Sequence, residues 1–207
     1  MQINTYTPSE ERLNISSHLA GFLLGVVALF FLLFKAKDLE TFIAYLVYGI
    51  CIISLFGAST LYHAEKDMVR RHRLKVFDHC AIYLMIAGSY VPFLSIGVGT
   101  NWAYLLLGGV WLLAIAGVIL KLFFTGRFKL VSTISYVLLG WVVVIAIKPL
   151  SEQLPGGALL WLGVGGLFYT VGAILYQIKQ IPYNHAIFHF FVLAGAYAHF
   201  HGIYWHL

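Results

Sequence analysis

The sequence predicts an all-α integral membrane protein: one domain, residues 1–207, folded as a seven-transmembrane helix bundle. Composition is the first reason. Apolar side chains make up 61% of the chain and charged ones only 10%, against roughly 25% charged in soluble globular domains. Apolar runs of about 20 residues, long enough to span roughly 30 Å of hydrocarbon, are the second reason. They recur seven times, at 16–34, 41–63, 76–97, 102–124, 129–148, 157–178 and 184–205. Runs such as Leu19 to Phe34 are apolar all round, whereas barrel strands alternate apolar with polar.

Charge placement is the third reason, and it orients the bundle. With the N-terminus cytoplasmic and the C-terminus extracytoplasmic, the inside segments hold ten cations. These are Arg12; Lys66, Arg70, Arg71, Arg73 and Lys75; Lys121, Arg127 and Lys129; and Lys179. The outside segments hold three, Lys35, Lys37 and Lys148. That is a positive-inside bias. The net charge of +5 therefore reads as topology, with membrane lipids as the surroundings, and no basic patch interleaved with aromatics speaks for nucleic acid.

Glu10, Glu11 and Arg12 precede the first span without a basic run or a small-x-small cleavage site, so no cleaved signal peptide is expected. Ser9 reads as a helix start. Glu11, Asn14 and His18 then share one helical face by their spacings of three and four, and Gly21 and Gly25 suit close helix packing. The second span ends in Ser59 and His63, one turn apart on one face, followed by a basic loop, AEKDMVRRHRLK.

The third span opens with Phe77-Asp78-His79, and a carboxylate there needs a partner. Pro92 stands late in the same span, where a kink is the usual result. Spans four to six have no ionisable side chain in their interiors apart from tyrosines and read as scaffold. Ser132, Thr133 and Ser135 suit hydrogen bonds back to the helix; Gly163, Gly165, Gly166 and Gly172 suit tight helix contacts. Cys51 and Cys80 fall at different depths in neighbouring spans and are expected to stay unpaired.

The seventh span, reached through Pro182 and an Asn184 N-cap, carries five of the nine histidines. His185 and His189 are four apart, on one helix face and about 6 Å apart along the axis. His199, His201 and His206 lie near the other end and are expected at the interface.

Topology brings His63, Asp78, His185 and His189 to one depth from three helices. Three imidazoles leave zinc an open fourth position, as in catalytic sites, and nitrogen donors favour zinc over magnesium or calcium. Asp78 is placed to orient a ligand or a water. The plainer alternative is a polar knot of side chains that hydrogen-bond one another.

Ser59-x3-His63, Asp78 and His185-x3-His189 resemble the three motifs of the superfamily that joins alkaline ceramidases with the progestin and adipoQ receptors. The strings ERLNISSH, STLYH, FDHCAIYLMIAGSYVPF and NHAIFHFF are most similar to its bacterial hemolysin III branch. The resemblance implies a multi-pass protein of the bacterial inner or plasma membrane, with zinc on His63, His185 and His189. Asp78 would stand beside the metal-bound water as catalytic group, with Ser59 near it. Glu11, Asn14, His18 and His79 are the candidates for supporting these groups.

The implied activity is zinc-dependent hydrolysis of a lipid amide, as in ceramidases, serving membrane lipid homeostasis. The alternative is a non-enzymatic, zinc-stabilised sensor or regulator of bilayer state, and a pore-forming hemolysin ranks below both. The long soluble N-terminal region of adiponectin receptors is not seen here, so hormone binding is not carried over.

Overall fold

The computed structural model describes residues 6–207, without the side chain of Lys129. Seven helices long and apolar enough to cross a membrane account for nearly all of them. The first is α1, Pro8–Lys35. It begins earlier than the apolar run suggests, because Thr7 rather than Ser9 caps it: the Glu10 amide donates to Thr7 Oγ1 at 3.2 Å, with Pro8 in the first turn. Glu11 and Asn14 therefore lie on a continuous helix with His18.

Asp38 starts α2, Leu39–Ala64, with a reciprocal cap. The Thr41 amide donates to Asp38 Oδ1 at 2.8 Å and the Asp38 amide to Thr41 Oγ1 at 3.2 Å. The expected basic loop after His63 shrinks to Glu65–Asp67. Asp67 accepts from the Arg70 amide at 2.8 Å and starts α3, Met68–Ser95, so MVRRHRLK forms its first two turns. Hydropathy hides this extension because charged residues lengthen a helix beyond the apolar span without lowering its helix propensity. Pro92 lies within α3, which continues to Ser95.

Helix α4, Asn101–Phe124, ends in a turn that contains Gly126 at φ +82°. The fifth span is broken. It comprises α5 (Lys129–Gly140), a 3-10 turn (Val142–Ala146) and α6 (Ile147–Gln153), five residues longer than the apolar run. Tyr90 of α3 satisfies backbone groups at the break. Its hydroxyl is placed 2.9 Å from the Leu139 carbonyl and 2.7 Å from that of Gly140, and accepts the Val143 amide at 3.1 Å. In a membrane, irregular backbone is tolerated where such partners exist.

Helices α7 (Gly156–Gln177) and α8 (Asn184–His206) complete the bundle. Asn184 is not the N-cap of α8. That position is Tyr183, at φ 57° the one non-glycine residue with positive φ among those described. The Asn184 side chain instead reaches back and donates to the carbonyls of Tyr176, at 2.8 Å, and Ile178, at 3.3 Å, at the end of α7.

Consecutive helices pack around a ring, and α1 closes it against α8; α3 also meets α5 and α8. Tyr45, Tyr48, Phe56 and Phe93 fill the interior. Cys51 and Cys80 are free thiols, both buried. Of the glycines in α7, Gly165 and Gly172 stand at close helix contacts, whereas Gly163 faces open space.

His199 corrects the interfacial expectation. It is 5% exposed, and its Nε2–H is directed at the Leu162 carbonyl at 3.3 Å. Gly165 leaves room for its ring.

Candidate metal centre

His63 is the next-to-last residue of α2, His185 the second of α8, and His189 stands one turn further along α8. All three are buried. His185 Nε2 lies 3.1 Å from the Nε2 of His63 and 3.1 Å from that of His189. Four ligands around zinc at 2.0–2.1 Å would be separated by about 3.3 Å. The three side chains thus form a group that can hold a metal ion.

The remaining ring nitrogens decide how the Nε2 atoms are used. His63 Nδ1 lies 2.8 Å from Glu11 Oε2, and His189 Nδ1 lies 3.3 Å from both the Asn14 carbonyl and Ser17 Oγ. These acceptors assign the proton to Nδ1 in both rings and leave lone pairs on both Nε2 atoms, directed at His185. Lone pairs converging at this distance repel unless a proton or a cation lies between them. The carboxylate behind His63 is the arrangement that orients metal-ligating imidazoles in general.

Glu11 is itself held. Its Oε2 accepts Asn14 Nδ2 at 3.2 Å, and its Oε1 pairs with Arg71. Arg71 also sits over the Tyr62 ring, 5.2 Å from the centroid, and Tyr62 packs edge-on against His63. His18 stacks on His189 with ring centroids 3.5 Å apart, and neither of its nitrogens has a partner among the described residues. Tyr6 stacks on His185 at 4.7 Å.

Asp78 is mostly buried, with 13% of its side chain exposed, and its carboxylate interacts with His63 and Ser59. His79 stands beside that carboxylate, its Nδ1 3.6 Å from Asp78 Oδ2. Its Nδ1–H is directed at the Lys75 carbonyl at 2.7 Å, and the Tyr136 hydroxyl donates to the His79 carbonyl at 3.1 Å.

Next to the histidines lies a largely apolar cavity of about 280 Å³, with Ser59, Asp78, His185 and His189 in its wall. The arrangement therefore joins three nitrogen donors, one carboxylate and one hydroxyl at the end of a space suited to a hydrophobic ligand.

The family model described as Haemolysin-III related matches residues 6–200. The chain belongs to the haemolysin-III related family. It is 39% identical over 198 residues to the Hemolysin-3 homolog of Bacillus subtilis (strain 168), covering 94% of this chain and 93% of the relative. It is 41% identical over 190 residues to Hemolysin-3 of Bacillus cereus, covering 90% and 87%. A more distant likeness, 29% identity over 167 residues, joins it to the human Monocyte to macrophage differentiation factor, covering 78% and 69%. No solved structure matches the chain. With seven spanning helices and these relatives, this haemolysin-III related protein is a multi-pass protein of the cell membrane.

Sequence spacing alone does not single out Tyr6, Ser17, Arg71, Lys75 or Lys121. Tyr6 precedes the first helix, and Arg71 and Lys75 read as loop charges until α3 is seen to begin at Met68. Lys121 is 5% exposed and Lys75 only 3%, and both line the cavity. The fourth and fifth spans are therefore part of the cavity wall.

Proposed function

We propose that this protein is a zinc-dependent hydrolase of a lipid amide, acting in membrane lipid homeostasis. The observation that carries the reading is the 3.1 Å convergence of the His63, His185 and His189 Nε2 atoms beside Asp78, at the end of an apolar cavity. Zinc, when bound, supplies Lewis acidity that polarises a carbonyl and acidifies a water.

The chain's own residues do the rest. Asp78 accepts a proton from the attacking water and returns it to the leaving amine. Ser59, one turn before His63, donates a hydrogen bond to the oxygen on which charge develops. Glu11 and Asn14 hold the ligand rings in register, and the apolar walls bind the acyl chain and exclude water. With the N-terminus cytoplasmic, the reacting end of the cavity faces the cytoplasm.

A non-enzymatic alternative has one observation in its favour: the cluster and its supports connect α1, α2, α3 and α8, so a metal there would fasten the bundle. Asp78→Ala separates the two. Under hydrolysis the variant keeps its zinc and its melting temperature but releases no fatty acid from lipid amides in a mass-spectrometric screen. Wild-type protein that holds zinc yet cleaves no lipid amide supports the sensor instead.

A further inference from the structure

The charged groups at the histidine end of the cavity are unequal. Among the described residues that line it, Lys75 and Lys121 bring two ammonium groups, and Asp78 is the one carboxylate. Both lysines are almost wholly buried, at 3% and 5% exposure, and their charges are near enough to interact. Lys75 also interacts with Asp78. Burying like charges together is costly without compensating anions.

Local geometry keeps the two ammoniums there. The Lys75 Nζ lies against the α4–α5 turn, 3.8 Å from where a Cβ on Gly126 would be. Lys121 Nζ donates to Ser132 Oγ, whose own hydroxyl donates to the Phe128 carbonyl at 2.8 Å. Neutralising Lys75 with Asp78 leaves Lys121 without an acidic counterpart in the cavity wall.

We infer that Lys75 and Lys121 form a subsite for the oxyanion of a lipid headgroup, so that the cavity selects amide lipids whose amine-side portion carries a carboxylate or a phosphate. The inference rests on the lipid-amide reading for its orientation but concerns binding, which is measured without turnover. Lys75 precedes Asp78 by three residues, about 4.5 Å along the helix. A short spacer between amide and anion fits that offset, as in an N-acyl α-amino acid. Hydrolysis of such a lipid would consume one water and yield a fatty acid and the free amino acid.

The test titrates full-length detergent-solubilised protein with N-palmitoylglycine, with the neutral N-palmitoylethanolamine, and with inorganic phosphate, read by native mass spectrometry and thermal shift. The two lipids share an acyl chain, so partitioning into detergent is similar. The expected result is roughly tenfold or greater preference for N-palmitoylglycine, the scale of one charge-assisted hydrogen bond. Lys121→Gln should abolish that preference, Lys75→Gln should reduce it, and Lys121→Arg should retain it.

Equal affinity for the two lipids overturns the inference, as does a preference that survives both glutamine variants. Inorganic phosphate stabilising the protein as strongly as N-palmitoylglycine overturns the assignment to a lipid head. Loss of hydrolysis with the preference intact refutes the proposed reaction and leaves the subsite standing.

Discussion

Glu11 Oε2 lies 2.8 Å from His63 Nδ1, joining the first turn of α1 to the last turn of α2. The carboxylate sits behind one of the three converging imidazoles, and Arg71 of α3 holds its other oxygen. Three helices are thus tied together by one acidic side chain.

Glu11→Gln should therefore weaken metal binding without removing a ligand. Loss of such a carboxylate behind a ligating histidine typically lowers metal affinity 10–100-fold. Competition between the protein and a chromogenic chelator measures this, and an unchanged affinity would show that Glu11 does not support the centre.

Gly88 places α3 tightly against α2. A Cβ there would meet Cys51 Sγ at 2.6 Å and Cys51 Cβ at 2.7 Å. Gly88→Ala should destabilise the bundle by about 1–3 kcal/mol through overpacking, read as a lower melting temperature in detergent. Adding Cys51→Ala should recover only part of the loss, because it removes the sulfur and leaves the Cβ contact. Wild-type stability in the single variant would contradict the packing described.

Asp38 is exposed, and the Thr41 amide that donates to its carboxylate holds it below the usual carboxylate range. A depressed acidic group contributes stability above its unfolded value, near pH 4, and loses it as pH falls through the folded value. Protection of the Thr41 amide in hydrogen exchange should accordingly decline on acidification. Asp38→Asn, which caps without titrating, should flatten that dependence. An identical pH response in the variant would assign it to another group.

Apolar run length makes the seven spans legible, because bilayer thickness sets a length that few other structures satisfy. His63, Asp78, His185 and His189 stand out because ionisable groups are rare in such spans. What stays hidden is long-range. The Tyr6 ring on His185 and the Arg71 pairing with Glu11 depend on helix ends that hydropathy underestimates. The break after Gly140 depends on Tyr90, fifty residues earlier, supplying partners to the freed backbone. His199 looks interfacial by position, yet the space left by Gly165 on the neighbouring helix draws it inside.

The proposed reaction depends first on zinc being held by His63, His185 and His189. Elemental analysis of protein purified from its native membrane without added metal, wild type beside His185→Ala, tests it most directly. About one zinc per wild-type chain is expected, as for a single three-histidine site, with loss of that metal in the variant. A folded wild-type protein without metal, or a variant that keeps its zinc, would contradict that expectation.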